Sequence, residues 1–256
     1  NLLMAEAGYG LIGEKLGHSF SPYIHGELGG YDYRLIELER GELGRFRKRG
    51  AFSGLNVKVP YKKDVIPYCA WLSPEARRIG SVNTIVSDGG LLRGYNTDYF
   101  GFVYMLRKAA IGVKGKKALV LGSGGASLTV QAALHDLGAK SVTVISRGGE
   151  DNYGNLERHA DARLIVNTTP VGMYPKVEAA PLSLEIFPDC EAVADIIYNP
   201  SRTKLLLDAE ARGRGFIYPR GRHVRVRHDG AARGERAARA FHGSVGEAQI
   251  LHEIEV

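Results

Sequence analysis

The rhythm of hydrophobic and polar positions changes near Lys117. Before that point strands, turns and short helices follow one another irregularly. Tyr9–Gly13 is a short apolar run ending in glycine, and Tyr31–Leu38 alternates apolar and polar residues as a half-exposed strand does. Glu42–Lys48 predicts a short polar helix. Leu55–Val59 reads as a buried strand that stops at Pro60 and presents Lys62 just beyond its end. Tyr61–Ile66 is a short helix candidate, and Ser73-Pro74-Glu75 opens another helical turn. Val82–Val86 and Leu91–Arg93 flank Asp88-Gly89-Gly90, a hairpin in which glycine supplies positive φ. Phe100–Ala110 has helical spacing of apolar residues and bridges to the second half.

From Lys117 onward the pattern is a regular β-α-β alternation. Ala118–Leu121 is a buried strand, Gly122–Ser127 a turn, Leu128–Leu137 a helix and Ser141–Ile145 a second strand. Arg163–Asn167 and Ala192–Ile197 are further buried strands, and Thr203–Ala211 is an apolar helix. Such alternation predicts an α/β fold with a parallel sheet and helices on its faces. No internal repeat is present.

Composition narrows the class without naming it. A chain of 256 residues, 44% hydrophobic and 24% charged, has the make-up of a soluble globular protein of one or two domains. No apolar run reaches the roughly 20 residues that span a bilayer, so no membrane partner is expected. The first ten residues lack a basic segment followed by an apolar core, so no secretory leader is expected either. Cys69 and Cys190 stand far apart without metal-ligand spacing, which suits a reducing cytoplasm. The net charge of +6 is local: residues 212–239 hold nine Arg against one Asp and one Glu, a charge of +7, leaving the remainder at −1. That segment is read as solvated surface in preference to a nucleic-acid site.

Several stretches carry candidate chemistry. Gly94-Tyr95-Asn96-Thr97-Asp98 is a polar turn able to bring a carboxylate to Lys62, and a Lys–Asp couple can move a proton. Ser21 before Pro22 is a helix cap; together with Ser19 it equally fits an anion site for a carboxylate. Gly122-x-Gly124-x-x-Ser127 between a strand and a helix is the dinucleotide fingerprint: the first glycine allows the tight turn, the second lets amides approach a pyrophosphate. The next strand ends in Ser146-Arg147 where an NAD site places a carboxylate, and a guanidinium favours a 2′-phosphate, hence NADP. Glu150 and Asp151 lie close behind as opposing charges. His18 and His25 have no third ligand at a suitable spacing, so no metal is expected.

The ordered set His18-Ser19-Phe20-Ser21-Pro22, Asn56–Lys62, Ser81-Val82-Asn83-Thr84, Asn96-Thr97-Asp98, Gly122–Ser127, Asn167–Met173 and Tyr198-Asn199-Pro200 resembles the shikimate dehydrogenase family. The resemblance covers roughly residues 8 to 204. It implies an N-terminal α/β substrate domain, residues 1–98 completed by 222–256, and a Rossmann-like NADP-binding domain, residues 99–221, with the active site in the cleft separating them. It implies reversible hydride transfer from NADPH to the ketone of 3-dehydroshikimate, giving shikimate. Lys62 and Asp98 become the catalytic pair; Ser19 and Ser21 bind the substrate carboxylate, and Asn83 its hydroxyls. Asn56 does likewise or stabilises a turn, and Tyr198 sits near substrate. Ser123, Gly124, Gly125 and Ala126 join Gly122 and Ser127 around the cofactor, with Ser146 and Arg147 at its ribose and Thr168, Pro170, Gly172 and Met173 on its nicotinamide side.

The chain departs from the family pattern twice. Lys58 stands where the family has threonine, and strand alternation puts it on the face of Asn56, where it adds a second ammonium to the substrate side. Residues 212–239 do not match the family's glutamine-bearing C-terminal helix. Two alternative functions remain at this point, a broader quinate/shikimate dehydrogenase using NAD and a cofactor-binding regulator without turnover, and a homodimer is one candidate assembly.

Overall fold

In a computed structural model the described residues are 8–217, except His18, Phe20, Gly30, Gly50 and Ala51. The expected return of residues 222–256 onto the N-terminal half, and most of the arginine-rich segment, lie outside them. The described chain divides into two compact units, with the boundary in the sequence between Phe100 and Gly101.

The first unit contains β1 (Gly8–Gly13), α1 (Ser21–Gly29), β2 (Tyr33–Glu37), α2 (Leu43–Arg49), β3 (Phe52–Val57), β4 (Trp71–Leu72), α3 (Pro74–Ile79), β5 (Thr84–Asp88) and β6 (Leu91–Tyr95). They build a six-stranded sheet in the order β2-β1-β3-β5-β6-β4. β2, β1 and β3 run parallel, whereas β5 is antiparallel to both β3 and β6. Its core gathers Ile12, Ile36, Leu55, Val57, Tyr61 and Val82. The β5–β6 turn places Gly89 at φ 57° and Gly90 at φ 84°, the left-handed region that glycine enters without a Cβ penalty.

Two local expectations are corrected. β3 ends at Val57, not Val59. Lys58 sends its N–H to Ile12 O, Tyr61 N–H turns back to Lys58 O, and Val59 is left outside the ladder, as expected before a proline that lacks a donor and restrains its predecessor. Tyr61–Ile66 is a series of turns leading into a 3-10 turn at Ile66–Tyr68, not a helix. Val65 N–H reaches Tyr61 O, but Ile66 N–H goes to Lys63 O and Pro67 offers no N–H to continue. Tyr61, 2% exposed, is held in place by its hydroxyl, which donates to Leu38 O at 2.5 Å.

α4 (Asp98–Lys108) follows β6. In the second unit, β7 (Lys117–Leu121), α5 (Gly125–Asp136), β8 (Ser141–Ile145), β9 (Leu164–Asn167), β10 (Ala192–Asp195), α6 (Lys204–Ala211) and β11 (Gly215–Ile217) form a parallel sheet ordered β11-β10-β9-β7-β8. Its core includes Leu119, Leu121, Ile145, Phe187, Val193 and Leu206. The alternation is less regular than the sequence suggests, since the connections on either side of β9 carry only 3-10 turns, Leu156–His159 and Leu184–Ile186. β11 emerges from the start of the arginine-rich segment: Phe216 and Ile217 pair with Val193 and Ala194, while Arg212 and Arg214 are tied to Glu185 and to Pro188 O. Among the described residues no helix is long and apolar enough to cross a membrane.

Gly94 in β6 shows how tightly the first sheet is packed. A Cβ there would lie 2.8 Å from Leu72 Cδ2 and 3.0 Å from both Cys69 Sγ and Val82 Cγ2. Gly94→Ala is expected to cost about 1–3 kcal/mol through overpacking, read as a lower urea midpoint. An unchanged midpoint would contradict this contact.

Candidate active site

The exit of β3, the start of β5 and the end of β6 converge because the middle strand runs antiparallel to its neighbours. Asn56 pairs across the sheet with Thr84, and Thr84 with Tyr95. Residues far apart in sequence therefore meet, and the turn after β3 brings Lys62 to the first residue of α4. Lys62 Nζ lies 2.5 Å from Asp98 Oδ2. The lysine side chain is 17% exposed and the aspartate 44%, so the ammonium is largely enclosed while the carboxylate keeps an open face.

Burial works to raise the Asp98 carboxyl, but the Lys62 charge and its hydrogen bond, with the nearby Asn83 amide, outweigh it and hold the group below the usual carboxylate range. The stabilisation this represents is present above the ordinary carboxylate range and is lost as pH falls through the depressed value. Asn83, 8% exposed, uses both of its polar atoms. Its Oδ1 accepts from Thr97 N–H at 2.9 Å and from Thr84 Oγ1 at 3.2 Å, and its Nδ2 donates to Thr97 Oγ1 at 2.9 Å. Asn96 fixes the same turn, donating to Ser81 O and accepting from Tyr99 N–H.

Asn56 is likewise committed to protein partners. Its Oδ1 accepts from Tyr33 OH at 2.6 Å and lies 3.1 Å from His25 Nε2, while its Nδ2 donates to Thr84 Oγ1 at 3.2 Å. His25 is 6% exposed, stacks on Tyr33 with ring centroids 3.9 Å apart and bonds Tyr31 through Nδ1. Burial pushes its imidazole down to about 4, with the Asn56 contact partly offsetting. Sequence reasoning weighed His25 only as a metal ligand and missed Tyr31 and Tyr33. The one available signal was the apolar neighbourhood that their strand predicts. Ser19 and Ser21 do come together, with Ser19 Oγ donating to Ser21 Oγ at 3.0 Å and accepting from Ser21 N–H at 3.3 Å. Lys58 is half-buried at the exit of β3, its Cβ beside Gly13.

In the second unit, Gly122 has φ 99° and donates its N–H to Ile145 O; a Cβ on it would lie 3.0 Å from Thr169 Cγ2. A Cβ on Gly124, by contrast, would meet nothing within 4 Å, so the amino end of α5 opens onto free space beside Ser123, Gly125 and Ala126. An open helix start preceded by a left-handed glycine fits an anionic pyrophosphate. Ser127 is fully buried and accepts from Gln131, so it packs the helix and does not face that space. Thr168 is drawn to this turn, its N–H and Oγ1 both donating to Leu121 O. Asn167 and Asp195, both fully buried, clamp the loop that carries Pro170, Gly172 and Met173. Pro170, Met173 and Tyr198 are exposed.

At the end of β8, Ser146 N–H and Asp151 O close a short loop, and Arg147 is exposed on it. Asp151 pairs with His159 Nε2 at 2.7 Å, which takes up one of the two carboxylates opposing an anion there. Among the described residues no group of three His, Cys, Asp or Glu could hold a metal ion.

A family model described as the shikimate dehydrogenase substrate binding domain matches residues 11–85. The shikimate dehydrogenase (NADP(+)) of Clostridium beijerinckii is 40% identical over 219 residues, which cover 77% of this chain and 80% of that protein. The chain belongs to the shikimate dehydrogenase family. Shikimate dehydrogenase 1 from Peptoclostridium difficile has a similar structure, with TM-score 0.76 at 33% identity over 96% of this chain and 91% of that one. The family member from Thermus thermophilus, solved in complex with NADP(H) and shikimate, matches with TM-score 0.72 at 30% identity over 95% of this chain and 100% of that one. The α/β substrate unit and Rossmann-like unit read from the sequence are those of the family.

The buried imidazole gives this family member a pH signature. Its folded value of about 4 lies below the ordinary 6.5, so between these the unfolded chain takes up a proton that the folded chain refuses. Stability is complete above about 6.5 and declines towards pH 4, by at most about 1.4 kcal/mol per pH unit from this group. His25→Gln is expected to flatten that decline in urea midpoints taken across the interval, and an equal slope would remove His25 as its source.

Proposed function

We propose that the protein is an NADP-dependent shikimate dehydrogenase, reversibly reducing 3-dehydroshikimate to shikimate on the route to chorismate and the aromatic amino acids. The observation that carries this reading is the Lys62–Asp98 contact at 2.5 Å in a member of this family. Residues 1–98 are assigned as the substrate domain and 99–221 as the dinucleotide domain. Gly122–Ala126 would hold the pyrophosphate, Ser146 and Arg147 the 2′-phosphate, and Thr168, Pro170, Gly172 and Met173 the nicotinamide side. NADPH, when bound, supplies the hydride.

The chain's own groups handle charge and proton. Negative charge develops on the substrate oxygen as its carbonyl is reduced, and the Lys62 ammonium stabilises that charge and donates the proton. Asp98 keeps Lys62 charged and aimed, and its open oxygen accepts from a substrate hydroxyl. Ser19 and Ser21 receive the substrate carboxylate and Asn83 stands beside the hydroxyls; Lys58 adds positive charge that favours an anionic substrate. Both thiols support a reducing cytoplasm as the setting: Cys69 and Cys190 are free and pushed up to about 11 by burial, which keeps them protonated and unreactive.

Steady-state oxidation of shikimate and quinate with NADP and NAD tests the reading. Shikimate with NADP is expected to be the preferred pair. Lys62→Ala should lower kcat by roughly a hundredfold or more with little change in KM, the mark of a group acting in the transition state. Undiminished kcat/KM would take Lys62 out of the site. Arg147→Ser should raise KM for NADP roughly tenfold or more, as loss of a charge-assisted contact does, and leave NAD unaffected; equal effects on both cofactors would remove Arg147 from the 2′-phosphate.

A further inference from the structure

Every hydrogen bond between the buried His25 cluster and Thr97, the residue before Asp98, has its direction fixed by one backbone group. Thr97 N–H can only donate, and it donates to Asn83 Oδ1 at 2.9 Å. That atom is therefore the carbonyl oxygen, and Thr84 Oγ1, 3.2 Å away, must give it its proton. Thr84 Oγ1, having spent its only proton, must accept from Asn56, so the atom at 3.2 Å is the Asn56 Nδ2 amide. Asn56 Oδ1 then faces Tyr33 OH and His25 Nε2, and both must donate to it. His25 is thereby the Nε2–H tautomer, leaving Nδ1 to accept from Tyr31 OH. At the other end, Asn83 Nδ2 donates to Thr97 Oγ1 at 2.9 Å, so the amide grips from both ends the residue that precedes Asp98. A neutral imidazole agrees with the burial that pushes His25 down to about 4.

We propose that Asn56 and Thr84 are positioning residues, which carry a one-way run of hydrogen bonds from the His25–Tyr33 stack to Asn83 and so fix the amide that holds Thr97, and with it the place of Asp98 beside Lys62. The inference rests on the reading of Lys62 and Asp98 as the catalytic pair. Both polar atoms of Asn56 are engaged with protein partners, which is what this task requires. Reversal of any one member would set two donors or two acceptors face to face, a cost the buried cluster avoids only in this order. Lys62 is the charged group that faces Asp98.

Thr84→Val removes the relay hydroxyl while keeping the side-chain shape, and Thr84→Ser keeps the hydroxyl. With the Asn83 amide loosened, Thr97 and the adjacent Asp98 sit less firmly against Lys62, and the carboxyl is held down less. The acid limb of the kcat/KM profile for shikimate should then move to higher pH in Thr84→Val, with kcat/KM lower by roughly threefold to tenfold, the worth of one hydrogen bond. Thr84→Ser should restore both. A Thr84→Val enzyme that melts earlier but keeps the wild-type profile and kcat/KM would show a purely structural residue and overturn the proposal. Nitrogen-15 NMR of the wild-type protein gives a second, activity-free reading that stands even if Thr84→Val does not fold. The Nε2–H tautomer of His25 is expected, and the Nδ1–H tautomer overturns the assigned direction. Lys62→Ala measured alongside separates the two levels. If it is inactive while Thr84→Val is unaltered, only the positioning proposal fails; if it is fully active, the catalytic pair fails and the proposal with it.

Discussion

The side-chain amide of Asn83 is nearly out of water, and an amide left unpaired there would cost about 1–3 kcal/mol. Its partners have to come from the protein, and the sheet delivers them. β5 runs antiparallel between β3 and β6, so the residue just before β5 meets the turn that follows β6. Thr97 answers both ends of the amide, and Asp98, the next residue, begins α4. Lys62 reaches that carboxylate because Pro60 ends the strand and the chain turns back with Tyr61 buried beneath it. If the antiparallel middle of this sheet were rearranged, the ion pair would lose the floor on which it stands.

The second unit solves a similar problem with Asn167. Fully buried at the end of β9, it accepts from Thr169 N–H and Oγ1 and donates to Val171 O and to Asp195. Asp195 also accepts from Thr203 Oγ1 and Ile197 N–H. Burial raises its carboxyl, and these donors offset part of the effect. One buried amide thus ties the loop after β9 to the beginning of α6, next to the glycine turn that follows β7. In both units a polar group is buried at a strand end, where the open backbone of a loop supplies partners that a continuous ladder would not.

How much of this was legible depended on the range of each interaction. The Gly122–Ser127 turn could be read because its requirements are local: a left-handed glycine, then a helix start with its amides open. Lys62 and Asp98 could be nominated from a strand end and a polar turn. The segment 61–66 was misread because Pro67 lies just beyond the apolar spacing that suggested a helix. β4, with two residues, is too short to show a period, and β11 hides among arginines whose charged ends turn to Glu185 and Pro188 O. Asn56 could be placed on the correct face of β3, yet nothing in its neighbours along the chain shows that its amide is consumed by Tyr33, His25 and Thr84.

The sequence by itself determined the two α/β halves, the parallel character of the second sheet, the dinucleotide turn and the residues of the Lys62–Asp98 couple. All of these follow from periodicity or from the geometric demands of a few consecutive residues. Only the tertiary structure decided the 2.5 Å contact between Lys62 and Asp98, the depressed carboxyl and the orientation of the Asn56 and Asn83 amides. These depend mainly on hydrogen bonds between residues 14 to 36 positions apart, such as Asn83 with Thr97 and Lys62 with Asp98. A sheet sets such distances by its strand order, and strand order is a property of the whole packed chain.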